Sequence, residues 1–281
     1  MVLPPLACSV RGCGRPLTRD GTRVACAAGH AFDVARSGYL SLMQPQDRRS
    51  RAPGDSKESV AARARLLEAG VGRAAIDAIV AAAPRDTPRP VAVDLGCGSG
   101  ELLGALAATR DLCGIGIDLA TTAVERAARR YPALTWIAAN ADRRLPLLDA
   151  SVHLVVSLNG RRNPDECARV LVPGGALIVG VPAADDLIEL RAEVQGEGVA
   201  RERADAVVAA HAAPFDLVER FTVRERHRLD AAALRDLLRG TYRGARTSAL
   251  ERVEALDALE VTLAIEVCRF TRAGERAREG S

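Results

Sequence analysis

The sequence predicts an α/β fold with a mostly parallel sheet, and two stretches of the chain carry this prediction. The first runs from Val91 to Gly100, reads V-A-V-D-L-G-C-G-S-G, and is followed by leucines at helical spacing. This pattern indicates a buried strand, a tight turn and a helix. The second is the apolar run L-C-G-I-G-I-D, which ends at Asp118 and indicates a second strand. A strand, a helix and another strand in succession are typical of a parallel α/β sheet.

The turn between the first strand and its helix is expected to bind a ligand. Its three glycines at alternate positions, Gly96, Gly98 and Gly100, let the backbone approach a ligand closely, and the helix N-terminus adds free N–H groups and positive potential. The spacing G-x-G-x-G differs from the dinucleotide fingerprint G-x-G-x-x-G. Asp118 ends the next strand, where a carboxylate suits a ribose diol. The alternative interpretation is a glycine turn in an ordinary α/β core.

The remaining elements follow from periodicity and turn residues. Helices are expected at residues 57–69 (capped by Asp55 or Ser56), 73–83, 121–130, 163–171, 187–210 and 231–239. Strands are expected at residues 134–139, 152–158, 176–181, 217–228 and 261–270.

Composition narrows the class of protein. With 281 residues and 48% hydrophobic content, the chain can bury a full core. No apolar run reaches the length of a membrane span and no signal peptide is evident, so a cytoplasmic protein without a membrane partner is expected. The net charge of +3 is too small to indicate nucleic acid. Residues 1–63, however, hold ten Lys and Arg against five Asp and Glu, a local excess of +5; it indicates either an RNA-binding face or a solvated surface.

Cysteine usage predicts a metal site near the N-terminus. Seven cysteines in a cytosolic chain argue against a disulfide framework. Cys8, Cys13, Cys26 and His30 follow the spacing C-x4-C-x12-C-x3-H in a glycine-rich segment that is too short for its own core. A structural Zn²⁺ held by these three cysteines and the histidine would supply the missing folding energy, so residues 1–36 are expected to form a zinc-binding module. The alternative is a set of free thiols in an irregular arm.

The motif D-L-G-C-G-S-G followed by G-I-D resembles the first two motifs of class I methyltransferases that use S-adenosylmethionine. The resemblance implies a Rossmann-like class I methyltransferase fold with a seven-stranded, mostly parallel sheet in residues 91–281. It implies S-adenosylmethionine as the cofactor. The methionine end would lie at Asp94 and the glycine amides, the ribose at Asp118, and the adenine at Leu119, Ala141 and Asp142. The implied cofactor-binding residues are Asp94, Gly96, Gly98, Gly100, Leu102, Leu103, Asp118, Leu119, Ala141 and Asp142.

A longer resemblance involves the N-terminal half. The metal ligands are followed by H-A-F-D-V-A-R-S-G-Y, by R-S-R-A-P-G-D and by A-R-A-R-L-L-E-A-G, in residues 30–70. This order resembles the bacterial 23S rRNA (guanine-N1)-methyltransferase family, which includes housekeeping and macrolide-resistance enzymes. The resemblance implies N1-methylation of a guanine in a 23S rRNA hairpin, 23S rRNA as partner, a homodimer and a link to macrolide resistance. Residues 37–90 would be a linker and flanking helices.

Methyl transfer from a sulfonium is an in-line displacement that needs positioning and no protein nucleophile. Asn159, at the end of the predicted strand 152–158, is the side chain best placed to face the methyl group. Asp55 and Arg63, from the family's G-D…A-R segment, are expected to close over the site; the alternative is a helix cap and a surface arginine. Asn159 and Asp55 are therefore the predicted catalytic residues.

The residues expected to lie near the methyl acceptor depart from the family pattern, and so does the spacing of the first two cysteines. N-G-R-R follows the strand at Asn159, G-V-G replaces a Gly-His-Tyr at residues 70–72, and the first cysteines are spaced C-x4-C. Two alternatives therefore stay open. One is a methyltransferase of a small natural product that retains the zinc module, and the other is a non-catalytic RNA- or protein-binding module with a decayed site.

Overall fold

The computed structural model describes residues 3–21, 23–44, 54–196, 200, 202–241 and 247–273. Of the motif R-S-R-A-P-G-D at residues 49–55, residues 49–53 lie outside the described ranges. The strands are β1 Leu17–Asp20, β2 Arg23–Cys26, β3 Ala31–Asp33, β4 Leu40–Ser41, β5 Val91–Leu95, β6 Cys113–Asp118, β7 Thr135–Ala138, β8 Val152–Leu158, β9 Leu171–Pro182, β10 Phe215–Asp230 and β11 Ala258–Arg272. The helices are α1 Lys57–Glu68, α2 Arg73–Ala82, α3 Glu101–Thr109, α4 Thr121–Arg130, α5 Pro164–Val170, α6 Ile188–Gln195, α7 Ala204–His211, α8 Ala231–Thr241 and α9 Thr247–Glu254.

The main sheet has eight strands in the order β10-β11-β9-β8-β5-β6-β7-β4. It is parallel from β9 to β4, whereas β11 pairs antiparallel with both β9 and β10. The predicted count of seven is therefore one strand short. The additional strand is β4, whose Leu40 and Ser41 pair with Ile137 and Ala138 of β7. A two-residue strand has no periodicity to recognise, and β4 exists because it pairs with the otherwise free edge of β7.

The predicted helix at 187–210 is also different in the structure. It is divided into α6 and α7, and α6 begins and ends beside residues with positive φ, Leu187 at 53° and Gly196 at 78°. Gly196 donates its N–H to the Ala192 carbonyl in a C-cap, which is a position that favours glycine because of the left-handed backbone.

The two faces of the sheet carry separate apolar layers. On one face, α2, α3 and α4 cover alternate residues of the strands, with Trp136 almost fully buried. On the other face, α5, α7 and the N-terminal module cover the intervening residues, including Val93, Ile115 and Val155. Strands buried on both faces explain the continuous apolar runs of the sequence.

The N-terminal module consists of the antiparallel sheet β1-β2-β3 and the metal-ligand turns. It is joined to the main body by backbone hydrogen bonds from Ala7 to the Pro146 carbonyl (2.9 Å) and from Leu148 to the Pro5 carbonyl (3.0 Å). Leu6 and Val24, each 1% exposed, belong to the same apolar cluster as the sheet. The module therefore shares its core with the main body, and the boundaries at residues 36 and 90 stay predictions.

In the part of the chain that the structure describes, no helix combines the length and the apolar character needed to cross a membrane.

Candidate active site

A cleft of about 1020 Å³ lies at the carboxyl ends of β5, β6 and β8, the edge at which parallel α/β sheets bind ligands. The predicted catalytic and cofactor-binding residues that line it are Asp55, Asp94, Gly96, Gly98, Leu102, Asp118, Leu119, Ala141, Asp142 and Asn159. Gly100 and Leu103 do not line it. The structure therefore brings together residues from five separate stretches of the chain.

The glycine turn after β5 is held by backbone hydrogen bonds, one to the neighbouring strand β6 and one within the turn. The N–H of Gly96 donates to the Ile117 carbonyl (2.9 Å), and the N–H of Gly100 donates to the Cys97 carbonyl (2.9 Å). A Cβ on Gly96 would lie 2.8 Å from the Gly160 Cα atom, so glycine is needed for the close approach of the two loops. The expectation that these amides hold a ligand stays a prediction, since each already has a partner within the protein.

Gly100 and Leu103 pack beneath the cleft lining, in the apolar layer between α3 and the sheet. Leu103 is fully buried in the layer between α3 and the sheet. Gly100 has a φ of 89°, and a Cβ there would lie 2.5 Å from Cη2 of Trp136. The glycine that sequence spacing assigns to the ligand therefore makes room for the tryptophan.

We expect Gly100→Ala to lower the free energy of unfolding by about 3 kcal/mol, from overlap with Trp136 and a left-handed backbone. The matched control is Gly98→Ala, because Gly98 also has a positive φ, 53°, but faces open space; it should cost about 1 kcal/mol. Urea unfolding measures both values, and equal losses would contradict the packing role of Gly100.

Asp118 is fixed at the end of β6 by two backbone donors. Its Oδ2 accepts the N–H of Gly98 (2.9 Å) and its Oδ1 accepts that of Ala120 (2.8 Å). Burial raises the pKa of Asp118, the two N–H donors oppose this, and the nearby Asp55 carboxylate adds to it. Asp118 lines the cleft, and each of its carboxylate oxygens has the capacity to accept a further hydrogen bond, as binding a diol requires.

Asp94, at the end of β5, is the most strongly perturbed acid of the cleft. It is 2% exposed. Burial, together with the carboxylates of Asp118 and Glu101, raises its pKa to about 8. Among the described residues, none forms a hydrogen bond with its carboxyl group. A cation placed here would favour the ionised carboxylate.

Asn159 and Gly160 form the turn after β8. Asn159 has a φ of 57° and an exposed side chain at the cleft, and asparagine tolerates this left-handed backbone better than most residues. Gly160 lies against the Leu95 carbonyl so closely that a Cβ would be 2.2 Å from its oxygen. Arg161 then pairs with Asp142 across the cleft's rim (3.1 Å). The unusual N-G-R-R sequence is therefore accommodated by direct packing on the glycine turn.

The segment before α1 covers another side of the cleft. Of the two possible helix caps, Ser56 is the one used, since its hydroxyl accepts the N–H of Ser59 (3.1 Å). Asp55 instead lines the cleft and forms an ion pair with Arg63. Gly54 packs on the backbone of Ala120 at the start of α4. The predicted closure of Asp55 and Arg63 over the site agrees with this placement, and a catalytic role for Asp55 or Asn159 stays a prediction.

The four predicted metal ligands meet, with all donor atoms within 4.8 Å of one another. Cys13 and Cys26 Sγ atoms are 3.8 Å apart, and His30 Nδ1 lies 3.5 Å from the Sγ atoms of both Cys8 and Cys26. A tetrahedral ion with Zn–S bonds of about 2.3 Å and Zn–N bonds of about 2.0 Å requires separations of about 3.8 and 3.5 Å. The donor set and its spacing therefore fit zinc.

Comparisons with known proteins find matches for both the N-terminal and the central part of the chain. Residues 92–175 match the family model described as a methyltransferase domain, and residues 7–51 match the zinc-ribbon model described as RlmA, N-terminal. A protein of Micromonospora griseorubida, provisionally named a 23S rRNA (guanine-N1)-methyltransferase, is 39% identical over 67% of this chain and 69% of its own length. The 23S rRNA (guanine(748)-N(1))-methyltransferase of Streptomyces fradiae is 35% identical over 79% of this chain and 80% of its own. This chain belongs to the 23S rRNA (guanine-N1)-methyltransferase family.

As a member of the 23S rRNA (guanine-N1)-methyltransferase family, the chain is an S-adenosylmethionine-dependent methyltransferase with a structural zinc site. A methyltransferase in a complex from Haloferax volcanii, with a TM-score of 0.53 and 20% identity over 81% of this chain and 100% of its own, has the same fold. The cleft fits S-adenosylmethionine in its chemistry: Asp94, a buried carboxyl group with a raised pKa, would face the cationic end, and Asp118, held by two N–H donors, would face the ribose. Both assignments stay predictions. When bound, S-adenosylmethionine supplies the methyl group on a sulfonium.

We expect S-adenosylmethionine binding to this methyltransferase to release a proton near neutral pH. Because Asp94 has a pKa of about 8 in the free protein, a bound cation must lower it, and affinity should rise with pH up to about 8. Calorimetry in buffers of different ionisation enthalpy measures the released proton. Asp94→Asn should release none and bind about tenfold more weakly, whereas Asp77→Asn, an exposed acid on α2, should behave as wild type. Binding that is independent of pH would contradict the linkage.

The far wall of the cleft in this methyltransferase was not predicted. It includes charged side chains that follow β9 or lie on β10 and α8, namely Asp186, Arg191, Arg203, Glu225 and Arg239. Burial raises the pKa of Asp186 to about 6, while its Oδ1 accepts the Ala264 N–H (2.9 Å). The sequence signal that could have indicated Asp186 is its position just after a parallel strand, because polar residues there lie at the edge of the sheet where ligands bind.

Proposed function

We propose that the chain transfers a methyl group from S-adenosylmethionine to N1 of a guanine in a 23S rRNA hairpin. The observation that carries this proposal is the likeness to the S. fradiae 23S rRNA (guanine(748)-N(1))-methyltransferase across 80% of that protein's length. We also propose that the reaction takes place in the cytoplasm, where rRNA is found, and that it contributes to macrolide resistance. A homodimer, implied by the resemblance alone, stays a prediction.

The size and charge of the cleft support an acceptor beside the cofactor. Pockets for a single drug-sized ligand occupy roughly 300–1,000 Å³, and this cleft has about 1020 Å³. Its far wall carries Arg191, Arg203 and Arg239, cations that suit an RNA backbone. A guanine within a hairpin must be unstacked to enter such a cleft.

We propose Asp186 as the group that accepts the proton from guanine N1. A base works best when it is ionised at the working pH and still basic, and the pKa of about 6 at Asp186 meets both conditions. The charged groups around it are Arg191 and Arg203, which lower its pKa, and Asp185, which raises it. Asn159, which also lines the cleft, is then the proposed orienting group for the acceptor base.

The test is methylation of a hairpin transcript that contains the guanine equivalent to that of the S. fradiae relative. Purified full-length protein with S-adenosylmethionine should give one methyl per hairpin and a reverse-transcription stop at that guanine, because N1-methylation blocks base pairing. A transcript with adenine at this position is the control. Absence of transfer to RNA by protein that binds S-adenosylmethionine would overturn the proposal.

The second candidate, methylation of a small natural product with the zinc module kept as scaffold, is favoured by the Asn159–Arg162 loop. Its conformation depends on packing against Leu95 and Gly96, and it departs from the family pattern on the acceptor side. This candidate predicts that methyl transfer in a lysate survives ribonuclease, whereas the RNA proposal predicts its loss.

A further inference from the structure

A second pocket lies next to the cleft. It has a volume of about 430 Å³ and shares Asp142, Gly160 and Arg161 with the cleft as lining residues. Its other wall is α7, which contributes His211. The pocket therefore adjoins the cleft at Asp142, a residue predicted to bind the adenine of the cofactor.

His211, which lines this pocket, has an unpartnered ring nitrogen. Its Nδ1–H donates to the Val207 carbonyl (2.7 Å), and its ring stacks on Phe270 with centroids 5.2 Å apart. The side chain is 2% exposed, and Nε2 has no hydrogen-bond partner among the described residues. Burial and the nearby Arg162 cation lower the pKa of His211, so Nε2 accepts and does not donate. A hydroxyl or N–H group of a ligand is the partner that this atom requires.

Arg162 presents an uncompensated cation beside His211. Its Nη1 donates to the Gly160 carbonyl (3.0 Å), whereas its buried Nε has no partner. Within the described ranges, no carboxylate forms an ion pair with Arg162, and the side groups that interact with its charge are the thiols of Cys167 and Cys268 together with His211. A partly buried guanidinium without an anion is a site for phosphate.

A group that complements both side chains combines an anion with a neighbouring hydroxyl donor. A ribonucleotide in a chain has this combination, a phosphodiester next to a ribose 2′-OH, whereas DNA lacks the hydroxyl. We propose that this pocket binds one ribonucleotide of the acceptor RNA, with its phosphodiester on Arg162 and its 2′-OH donating to Nε2 of His211. The inference rests on the proposed function and adds to it the contact by which the enzyme would distinguish RNA from DNA.

The first part of the test removes the cation. Full-length Arg162→Gln should bind the hairpin about tenfold more weakly, and the slope of log K against log salt should fall by about 0.7, the value for one phosphate contact in single-stranded nucleic acid. The matched control is Arg129→Gln, which removes an exposed arginine paired with Glu125 on α4 and should leave the slope unchanged. Binding of S-adenosylmethionine should be equal in all three proteins.

The second part tests the hydroxyl. In His211→Asn the side-chain amide keeps a donor for the Val207 carbonyl but has no atom at the position of Nε2. Single 2′-deoxy substitutions along the hairpin should reveal one position at which wild type loses about fivefold in affinity, and His211→Asn should be insensitive at that position. Urea unfolding confirms that the variant is folded.

The outcomes separate the two proposals. If wild type methylates the hairpin while Arg162→Gln and His211→Asn bind it as wild type does, the pocket assignment is overturned and the proposed function stands. If wild type neither binds nor methylates the hairpin, both are overturned. Sensitivity to a 2′-deoxy position that His211→Asn abolishes supports the pocket assignment.

Discussion

Removal of zinc should unfold the N-terminal module and destabilise the methyltransferase domain with it. Structural zinc contributes roughly 10–16 kcal/mol of apparent folding free energy in isolated zinc-finger peptides. The effect here extends to the main body because Leu6, Leu17 and Val24 pack in the same apolar cluster as the sheet. We expect chelation, or Cys13→Ala, to eliminate bound zinc by atomic absorption and to lower the thermal midpoint by more than about 10 °C, since about 1 kcal/mol shifts the midpoint of a domain of this size by roughly 2–4 °C.

Hydrogen exchange should locate this effect. The amides of Ala7 and Leu148, which bond across the junction of module and main body, should lose protection, while the amides of β5 should lose less. Cys113→Ala is the matched control, because Cys113 lies on β6 outside the ligand group; it should retain zinc and stability. His30→Cys should keep the metal, because four thiolates also form a tetrahedral zinc site. A zinc-free protein with an unchanged thermal midpoint would contradict a structural role for the ion.

Loss of the Asp186 carboxylate should reduce the rate of methyl transfer by about 100-fold, the lower range for a general base. The wild-type rate should rise with pH through about 6 and then level off, because burial raises the Asp186 pKa to about 6 and the ionised form is the base. In Asp186→Asn this ionisation should disappear from the profile. Single-turnover rates are the appropriate measurement, since product release limits many enzymes.

Two controls separate a chemical role from a structural one. Asp185→Asn changes the neighbouring acid, which is paired with Arg224 (2.8 Å); the ionisation should remain in the pH profile and move slightly to lower pH, because the Asp185 carboxylate raises the pKa of Asp186. Asparagine at 186 can still accept the Ala264 N–H through its amide oxygen, so Asp186→Asn should unfold at the wild-type urea concentration and bind S-adenosylmethionine normally. If Asp186→Asn retained the full rate and the same pH profile, the proton would have to leave by another route.

The sequence was sufficient to predict those elements whose geometry depends on residues close together along the chain. The strand and turn from Val91 to Gly100 and the acid at Asp118 lie as predicted, because a strand, a tight turn and a helix N-terminus are set by neighbouring residues. The zinc ligands were equally predictable, since two short turns bring Cys8, Cys13, Cys26 and His30 together. In both cases the information lies within a few tens of residues.

Long-range packing decided what local patterns could not. The eighth strand at Leu40–Ser41 depends on the free edge of β7, and the division of the predicted helix at 187–210 depends on how α6 and α7 pack on different parts of the sheet. Gly100 has the same local pattern as Gly98, yet its partner is Trp136, 36 positions further along the chain. Local periodicity carries no information about such partners.

By itself, the sequence determined the cofactor and the metal of this methyltransferase, because the residues predicted to bind each are close together along the chain or follow adjacent strands. Tertiary structure added the other residues proposed for the acceptor side. Asp186 and Arg203, from the segments around α6, line the cleft together with Asn159, which the sequence predicted at the end of β8. His211 comes from α7 and lines the adjoining pocket. The physical reason is burial: the perturbed pKa of Asp186 and the unpartnered nitrogens of Arg162 and His211 arise from surroundings that distant segments create.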